Sequence, residues 1–129
     1  MMKTVNVEDI MIFHNKLIER TGGSNGIRDI GLIESALNRA NATFDGKDLY
    51  ESILDKVAVI TASLIKNHGF VDGNKRIGIA VMLLILKLNS INILYTQEEL
   101  IELGLGVASN RIDDKTIKEW IIKHMENKA

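Results

Sequence analysis

The sequence contains no cysteine and no proline, and only 5% of its residues are aromatic. Without cysteine the chain can form neither a disulfide nor a metal site with thiolate ligands. Without proline no helix is broken by ring closure, so helix ends must come from glycine and from capping residues. Long apolar runs are missing as well, since the longest, Ile77 to Leu86, has ten residues and is too short to span a bilayer.

An excess of charge of one sign is also missing, because the formal net charge of the 129 residues is only −1. This balance excludes a basic, nucleic-acid-coating surface as the dominant feature, and we expect no direct nucleic-acid binding. The start of the chain reaches Glu8 and Asp9 before any long apolar run develops, so we expect no signal peptide and no membrane association. We therefore predict a cytoplasmic protein.

What the sequence does contain is the composition of one globular domain, residues 1–129, with 46% hydrophobic and 26% charged residues. Apolar residues recur at intervals of three and four in most segments, which predicts helices. The residues expected to cap helix starts are Asn6, Asp29, Thr96, and Asp113 or Asp114. We predict an all-α domain of about six helices.

Two long helices are predicted in the middle of the chain. The first runs from about Leu49 to Asn67, and the second runs from Asn74 to about Leu88. The second is apolar on every side between Ile77 and Leu86, so we expect it to be the central, enclosed helix. Before them, Asp45-Gly46 is a turn sequence that can close a short β-hairpin.

Chemically reactive residues concentrate between these two helices, in the nine residues from His68 to Arg76. Gly73 and Asn74 end a loop and open a helix, whose first turn leaves backbone N–H groups unpaired and favours an anion. Lys75 and Arg76 place two cations in that turn, where they oppose the helix dipole unless an anion lies over them. This pattern is typical of a site that binds phosphate through N–H groups, an ammonium and a guanidinium.

Asp72 and His68 add the other groups that transfer of a phosphate or a nucleotide requires. Asp72 offers a hard oxygen ligand for Mg²⁺, which proteins usually hold through a carboxylate together with substrate phosphates. A neutral imidazole at His68 can accept a proton from an attacking hydroxyl. The alternative is a polar loop between two core helices, in which Lys75 and Arg76 only reach solvent. Each residue alone fits that alternative, but the ordered set favours the site.

The stretch HGFVDGNKR resembles the motif of the Fic/Doc family, which runs His-x-Phe-x-Asp/Glu-Gly/Ala-Asn-x-Arg. Every fixed position is matched, by His68, Phe70, Asp72, Gly73, Asn74 and Arg76. The segments Gly26–Ala40 and Phe44–Tyr50, and the helix before the motif, resemble the death-on-curing (Doc) branch of the family. The resemblance covers nearly the whole chain and implies a Fic-type helical bundle.

The resemblance also implies roles for individual residues. His68 would be the general base, Asp72 would bind Mg²⁺, and Phe70 would pack inward and anchor the loop. The residues expected to hold the phosphates of ATP are Gly73, Asn74, Lys75 and Arg76. The segment expected to form a flap that aligns a target peptide by strand pairing comprises Thr43, Phe44, Asp45, Gly46, Lys47 and Asp48.

Two positions depart from family members that transfer an adenylyl group. Lys75 stands where these members usually have glycine, and Ile79 stands where they have a second arginine that helps to hold the nucleotide. Both departures resemble the death-on-curing toxins, which implies a kinase-like transfer of the γ-phosphate of Mg-ATP to a hydroxyl of a target protein. By resemblance the target belongs to the translation machinery, and a separate antitoxin protein is the expected inhibitor. Adenylyl transfer and a non-catalytic binding module are the alternatives.

The remaining candidates are interpreted as structural. His14 and His124 lie on helices without acidic partners at metal spacing, so we predict ordinary surface or boundary residues. Arg28 and Asp29 are expected to form a local pair, with a supporting role at the site left open by the resemblance. Thr4 to Glu8 approaches an inhibitory motif of the family, but the residue that follows departs from it, so inhibition by a separate antitoxin is favoured.

Overall fold

Six α-helices make up most of the structure between residues 2 and 126, the part of the chain that the computed structural model describes. The helices are α1 (Val7–Thr21), α2 (Ile30–Asn38), α3 (Ile53–Asn67), α4 (Asn74–Leu88), α5 (Gln97–Ala108) and α6 (Asp114–His124). Between α2 and α3 lie a 3₁₀ helix (Arg39–Asn41) and a hairpin of two short strands, β1 (Thr43–Phe44) and β2 (Lys47–Asp48). The predicted all-α domain with a short hairpin is confirmed.

Polar side chains fix where these helices begin. Three helices begin with a capping box, formed by the residue before the helix and the third residue of the helix. The side chain of each residue accepts a hydrogen bond from the backbone N–H of the other. These pairs are Asn6 with Asp9, Ser52 with Asp55, and Thr96 with Glu99. Asp29 and Asp113 cap α2 and α6 by accepting from backbone N–H groups. Removing such a cap costs about 1 kcal/mol, and the four predicted caps are confirmed.

The start of α3 differs from the prediction. A helix from about Leu49 was expected, but α3 begins at Ile53 because Ser52 and Asp55 form a capping box there. Tyr50 lies outside the helix although it continues the apolar spacing. The polar cap, and not the last apolar residue, therefore decides where the helix starts.

Helix α3 is the most enclosed helix of the bundle. All residues from Val57 to Ile65 are buried, and the helix packs against α2, α4, α5 and α6. The prediction that α4 is enclosed on every side is wrong for Ala80, Leu83 and Leu84, which are only half-buried. The reason is that α4 packs mainly against α3, α5 and α1, which leaves part of its surface within reach of solvent. No helix within residues 2–126 is long and apolar enough to cross a membrane.

The hairpin lies at the start of α3. Its two strands pair in antiparallel register, and the turn places Asp45 at φ 54° and Gly46 at φ 77°. Two successive positive φ values belong to the tight turn that matches the twist of a hairpin. On α3, Nζ of Lys56 lies 3.7 Å from a carboxylate oxygen of Asp48 and donates to the carbonyl of Ala40 at 3.0 Å. The base of the hairpin is therefore tied to the first turns of α3.

Close packing of α4 on α3 depends on Gly78. A Cβ at this position would lie 2.5 Å from Cγ1 of Ile65, a fully buried side chain on α3. Gly104 on α5 is different, because a Cβ there would lie 3.6 Å from the nearest atom, Cγ1 of Ile79. The first glycine therefore meets a packing requirement that the second does not.

We expect Gly78→Ala to lower the free energy of unfolding by about 1–3 kcal/mol, because the added methyl group must displace Ile65 or the helix. Gly104→Ala is the matched control. Its methyl group has room, and alanine favours a helix over glycine by about 1 kcal/mol, so this variant should be at least as stable as the native protein. Urea denaturation followed by circular dichroism measures both values. Equal stabilities of the two variants would contradict the packing assigned to Gly78.

Candidate functional site

The reactive stretch forms the loop between α3 and α4, and His68 is its first residue. His68 ends α3 in the left-handed conformation, at φ 52° and ψ 49°. Glycine is the usual residue in such a helix end, because a side chain in this conformation costs about 1–2 kcal/mol. The side chain of His68 is exposed. A strained backbone that carries an exposed imidazole is typical of a residue retained for chemistry.

A second loop pairs with this stretch and holds it in place. The N–H groups of Arg28 and Asp29 donate to the carbonyl of Gly69 at 2.8 and 3.0 Å. The N–H of Val71 donates to the carbonyl of Gly26 at 3.1 Å. Together these bonds form a short antiparallel bridge between two segments that are far apart in the sequence. The loop is therefore fixed by backbone bonds and not only by its own side chains.

The side chain of Arg28 adds a bond to His68 itself. Its Nε donates to the His68 carbonyl at 2.8 Å, across 40 positions of sequence. This bond fixes the peptide that follows the left-handed residue. The local pair expected between Arg28 and Asp29 is wrong, because Asp29 instead caps α2 by accepting from the N–H of Gly31 at 2.9 Å.

Two residues anchor the middle of the loop. The Phe70 side chain is 2% exposed and belongs to the hydrophobic core. The Asn74 side chain accepts from the N–H of Phe70 at 3.1 Å and donates to the Phe70 carbonyl at 3.0 Å. These bonds hold the Asn74 side chain against the loop, and the second hydrogen atom of its NH₂ group remains available as a donor.

Asp72 is held as an ionised carboxylate at the edge of the loop. Its Oδ2 accepts from the N–H of Ser24 at 3.1 Å, and its Oδ1 accepts from the N–H of Gly73 at 2.8 Å. The bond from Ser24, then that from Gly73, and to a smaller extent the charge of Arg76, hold the pKa of Asp72 below its usual value. Gly23 is required beside this carboxylate, because a Cβ at that position would lie 2.5 Å from Oδ2.

The site fits a magnesium ion that binds together with phosphates. The Asp72 side chain is 45% exposed, and a carboxylate oxygen that accepts one hydrogen bond keeps further capacity to accept or to ligate. Within residues 2–126, no three histidine, cysteine or acidic side chains come together to hold a metal ion by themselves. An exposed carboxylate such as that of Asp72 suits Mg²⁺, which commonly takes one or two carboxylates and completes its coordination with phosphate oxygens and water.

The start of α4 has backbone N–H groups that can bind an anion. Gly73 is the N-cap at φ 78° and supplies no side-chain cap, so the first N–H groups of the helix are left for a ligand. Lys75 is exposed on this first turn. Arg76 reaches back to the end of α1, where it donates to the Thr21 hydroxyl and, at 2.8 Å, to the Gly22 carbonyl. The two predicted cations therefore differ, because Arg76 is held against α1 and Lys75 projects towards solvent.

The structure adds one residue that the sequence patterns left outside the site. His14 was predicted to be an ordinary surface or boundary residue, which is wrong, because it is 3% exposed. Its Nε2 lies 2.7 Å from the carbonyl oxygen of Asp72, and its ring stacks on Phe70 with centroids 3.8 Å apart. The helical spacing could have indicated this burial, since His14 lies four residues from both Ile10 and Ile18 on the buried stripe of α1.

The base of the hairpin, Thr43 to Asp48, is bonded to α3 through Lys56. The hairpin is tied to the first turns of α3, whereas His68 caps the other end of this 15-residue helix. At a rise of 1.5 Å per residue the two ends are about 22 Å apart. His124 lies elsewhere as well, bonded to Glu99 and to the Trp120 carbonyl as the boundary residue that was predicted.

A cavity of about 390 Å³ adjoins Lys75 and Arg76. It lies between α1, α4 and α5, and its walls are mainly apolar, with Leu17, Leu83 and Leu100 among them. A ligand whose phosphate lies at the start of α4 has room to extend an apolar part into this space.

Together these residues form one site with three capabilities. His68 can exchange a proton, Asp72 can bind a cation, and the start of α4 with Lys75 can bind an anion. All three lie on or beside a loop that is bonded to α1, to the segment before α2 and to the core. Such a site can position a phosphorylated ligand and activate a hydroxyl group beside it.

Known proteins resemble this chain over the same residues. A model of the Fic/DOC family matches residues 4–86, which include the whole loop. The protein named Toxin Doc from Mycolicibacterium smegmatis (strain ATCC 700084 / mc(2)155) is 40% identical over 72 residues, which are 56% of this chain and 55% of that protein. The chain thus spans about half the length of this curated relative. The protein named Protein kinase doc from Escherichia phage P1 is 29% identical over 123 residues, which are 93% of this chain and 94% of that protein.

We expect His68→Gly to be more stable than His68→Ala by about 1 kcal/mol, because glycine adopts the left-handed conformation without a steric penalty. The alanine variant is the matched control, since it also removes the imidazole but keeps the Cβ. Urea denaturation of both variants gives the difference in the free energy of unfolding. Equal stabilities would show that the backbone at His68 is not strained.

Proposed function

The chain belongs to the Fic/DOC family, and from this premise we propose that it is the toxin of a toxin–antitoxin pair. In this proposal it transfers the γ-phosphate of ATP, with Mg²⁺, to a hydroxyl group of a target protein. The observation that carries the proposal is the loop itself. An exposed imidazole at its start, an ionised carboxylate and an uncapped helix N-terminus lie within nine residues of one rigid segment.

His68 is the general base of the proposed reaction. Its imidazole takes the proton of the target hydroxyl as the hydroxyl oxygen forms a bond to the γ-phosphorus of ATP. The bond between that phosphorus and the bridging oxygen of ADP breaks, and ADP leaves. The protonated imidazole then gives its proton to solvent, which its exposure allows. The left-handed backbone and the bond from Arg28 fix where this imidazole projects.

The start of α4 binds the phosphates in this proposal. Charge developing on the transferred group is met by the N–H groups of the first turn, by the helix dipole and by Lys75. Arg76 adds a positive charge beside the phosphates, and its bonds keep the end of α1 against the site. Asp72 is the residue that would hold Mg²⁺, and the ion would supply neutralisation of phosphate charge.

Two observations favour phosphate transfer over adenylyl transfer. Ile79 is only 9% exposed, so the position of the second arginine in adenylyl-transferring members is filled by a buried apolar side chain. Lys75 is exposed beside the N–H groups of α4 and offers a mobile cation to a terminal phosphate. The name of the phage P1 relative, Protein kinase doc, agrees with this choice. Adenylyl transfer, and a binding module without catalysis, are the alternatives that the experiments below distinguish.

The partners follow from the same proposal. The target is a protein with an acceptor hydroxyl, and the resemblance points to the translation machinery. A separate antitoxin would inhibit the toxin, as the name Toxin Doc of one relative suggests. The docking role predicted for the hairpin stays a prediction. Its exposed strands can pair with an extended peptide.

We expect a target protein incubated with this toxin, ATP and Mg²⁺ to gain about 80 Da, the mass of a transferred phosphate group. A gain of about 329 Da would instead show adenylyl transfer. His68→Ala should reduce the rate of transfer about 100- to 10,000-fold, because the general base is removed, while ATP binding persists. Intact-mass spectrometry measures transfer, and calorimetry measures ATP binding. A fully active His68→Ala variant would refute the role of His68.

Lys75→Ala tests the anion site. We expect kcat to fall about 100-fold or more, because a cation that faces the transferred phosphate is lost. Lys66→Ala is the matched control, since Lys66 is also an exposed lysine, in the last turn of α3. This variant should leave the rate unchanged. Steady-state kinetics on both variants measures the difference. If both variants kept the native rate, the binding-module alternative would gain and the assigned role of Lys75 would be lost.

A further inference from the structure

One buried side chain contacts the loop without belonging to the groups that bind or transfer phosphate. His14 on α1 is the only ionisable side chain in residues 2–126 that is buried, at 3% exposure. A buried polar ring requires a hydrogen-bond partner, and the partner of Nε2 is the carbonyl oxygen of Asp72 at 2.7 Å. Because a carbonyl oxygen can only accept, the hydrogen atom lies on Nε2.

This hydrogen bond fixes the peptide plane between Asp72 and Gly73. In a trans peptide the C=O and N–H groups point in opposite directions. The Asp72 carbonyl points to His14, so the Gly73 N–H points the other way, where it donates to Oδ1 of Asp72 at 2.8 Å. The bond on one side of the plane therefore sets the position of the carboxylate on the other side.

The ring of His14 also contacts Phe70, two positions earlier in the loop. The two rings stack with centroids 3.8 Å apart and planes 13° apart. His14 thus holds the loop through its face at Phe70 and through its edge at Asp72. An apolar side chain of the same shape would keep the first contact and lose the second, so the histidine is not explained by packing alone.

We propose that His14 is a positioning residue, whose Nε2–H orients the Asp72–Gly73 peptide and through it the Asp72 carboxylate that would hold Mg²⁺. This role rests on the proposed function, which gives the orientation of the carboxylate its purpose. His14 is buried behind the loop, so it would contact neither ATP nor the acceptor. Its contribution is to keep the carboxylate at one place before the ligands arrive.

Three variants separate the two contacts of His14. His14→Phe keeps an aromatic ring and removes the donor. His14→Gln removes the ring and keeps an N–H donor at a similar reach from the backbone. Ile10→Val is the matched control, since Ile10 lies one turn earlier on the same buried stripe and has no bond to the loop. Circular dichroism establishes that each variant folds. Should phenylalanine prevent folding, His14→Met, which has a similar length and no donor, takes its place.

The first readouts require no catalysis. The amide resonance of Gly73 in ¹⁵N-labelled protein reports the peptide plane, and calorimetry with and without Mg²⁺ reports how strongly the ion supports ATP binding. We expect His14→Phe to shift the Gly73 resonance and to weaken the Mg²⁺-dependent part of ATP binding about 10- to 100-fold, as loss of a bond to a metal ligand does. His14→Gln should restore both towards the native values, and Ile10→Val should change neither.

The rate of transfer gives the second comparison. His14→Phe should lower kcat about 10- to 100-fold with little change in KM for the target, and His14→Gln should recover most of this loss. A native Gly73 resonance with native Mg²⁺ dependence in a folded His14→Phe variant would overturn the proposal. Equal impairment by Phe and Gln would overturn it too. If the native protein transfers no phosphate, the proposed function fails, and the Gly73 resonance still decides whether His14 orients the peptide.

Discussion

The pairing of the segment before α2 with the loop after α3 is the interaction on which the rest of the site depends. Bonds from Arg28 and Asp29 to the Gly69 carbonyl, and from Val71 to the Gly26 carbonyl, hold two distant stretches together. Without them the loop would be held only by the side-chain contacts of Phe70, Asn74 and His14. With them, the imidazole, the Asp72 carboxylate and the start of α4 have fixed positions. The loop therefore loses little conformational entropy when a ligand binds.

Most of the fold could be predicted from local sequence, because its information lies within a few residues. Asn6, Asp29, Thr96 and Asp113 start the helices that they were predicted to start. The beginning of α3 was missed because apolar spacing continues through Tyr50, whereas the capping box at Ser52 overrides it. The enclosure of α4 was overestimated because apolar composition does not reveal how many neighbours a helix has.

The candidate site was predictable only where its residues are consecutive. His68 to Arg76 could be recognised as a set, but the partners of these residues are far away in the sequence. Arg28 bonds to His68 across 40 positions and His14 bonds to Asp72 across 58, and no local pattern specifies either contact. The side chains of this set also have different structural roles. The Asn74 amide is bonded to Phe70 within the loop, and the Arg76 guanidinium is bonded to the end of α1. These distinctions follow from geometry and not from residue type.

In the proposed function the loop is preformed, and the start of α4 binds the phosphates of ATP. Amide hydrogen exchange measured by NMR, with and without ATP and Mg²⁺, tests both statements together. We predict that the Val71 N–H is protected before any ligand is added, because it is bonded to Gly26. We also predict that the N–H groups of Asn74 and Lys75 become protected only when ATP and Mg²⁺ are present. Rapid exchange at Val71 in the free protein would show that the loop is not preformed, and unchanged exchange at Asn74 and Lys75 after ATP is added would show that the start of α4 does not bind the phosphates.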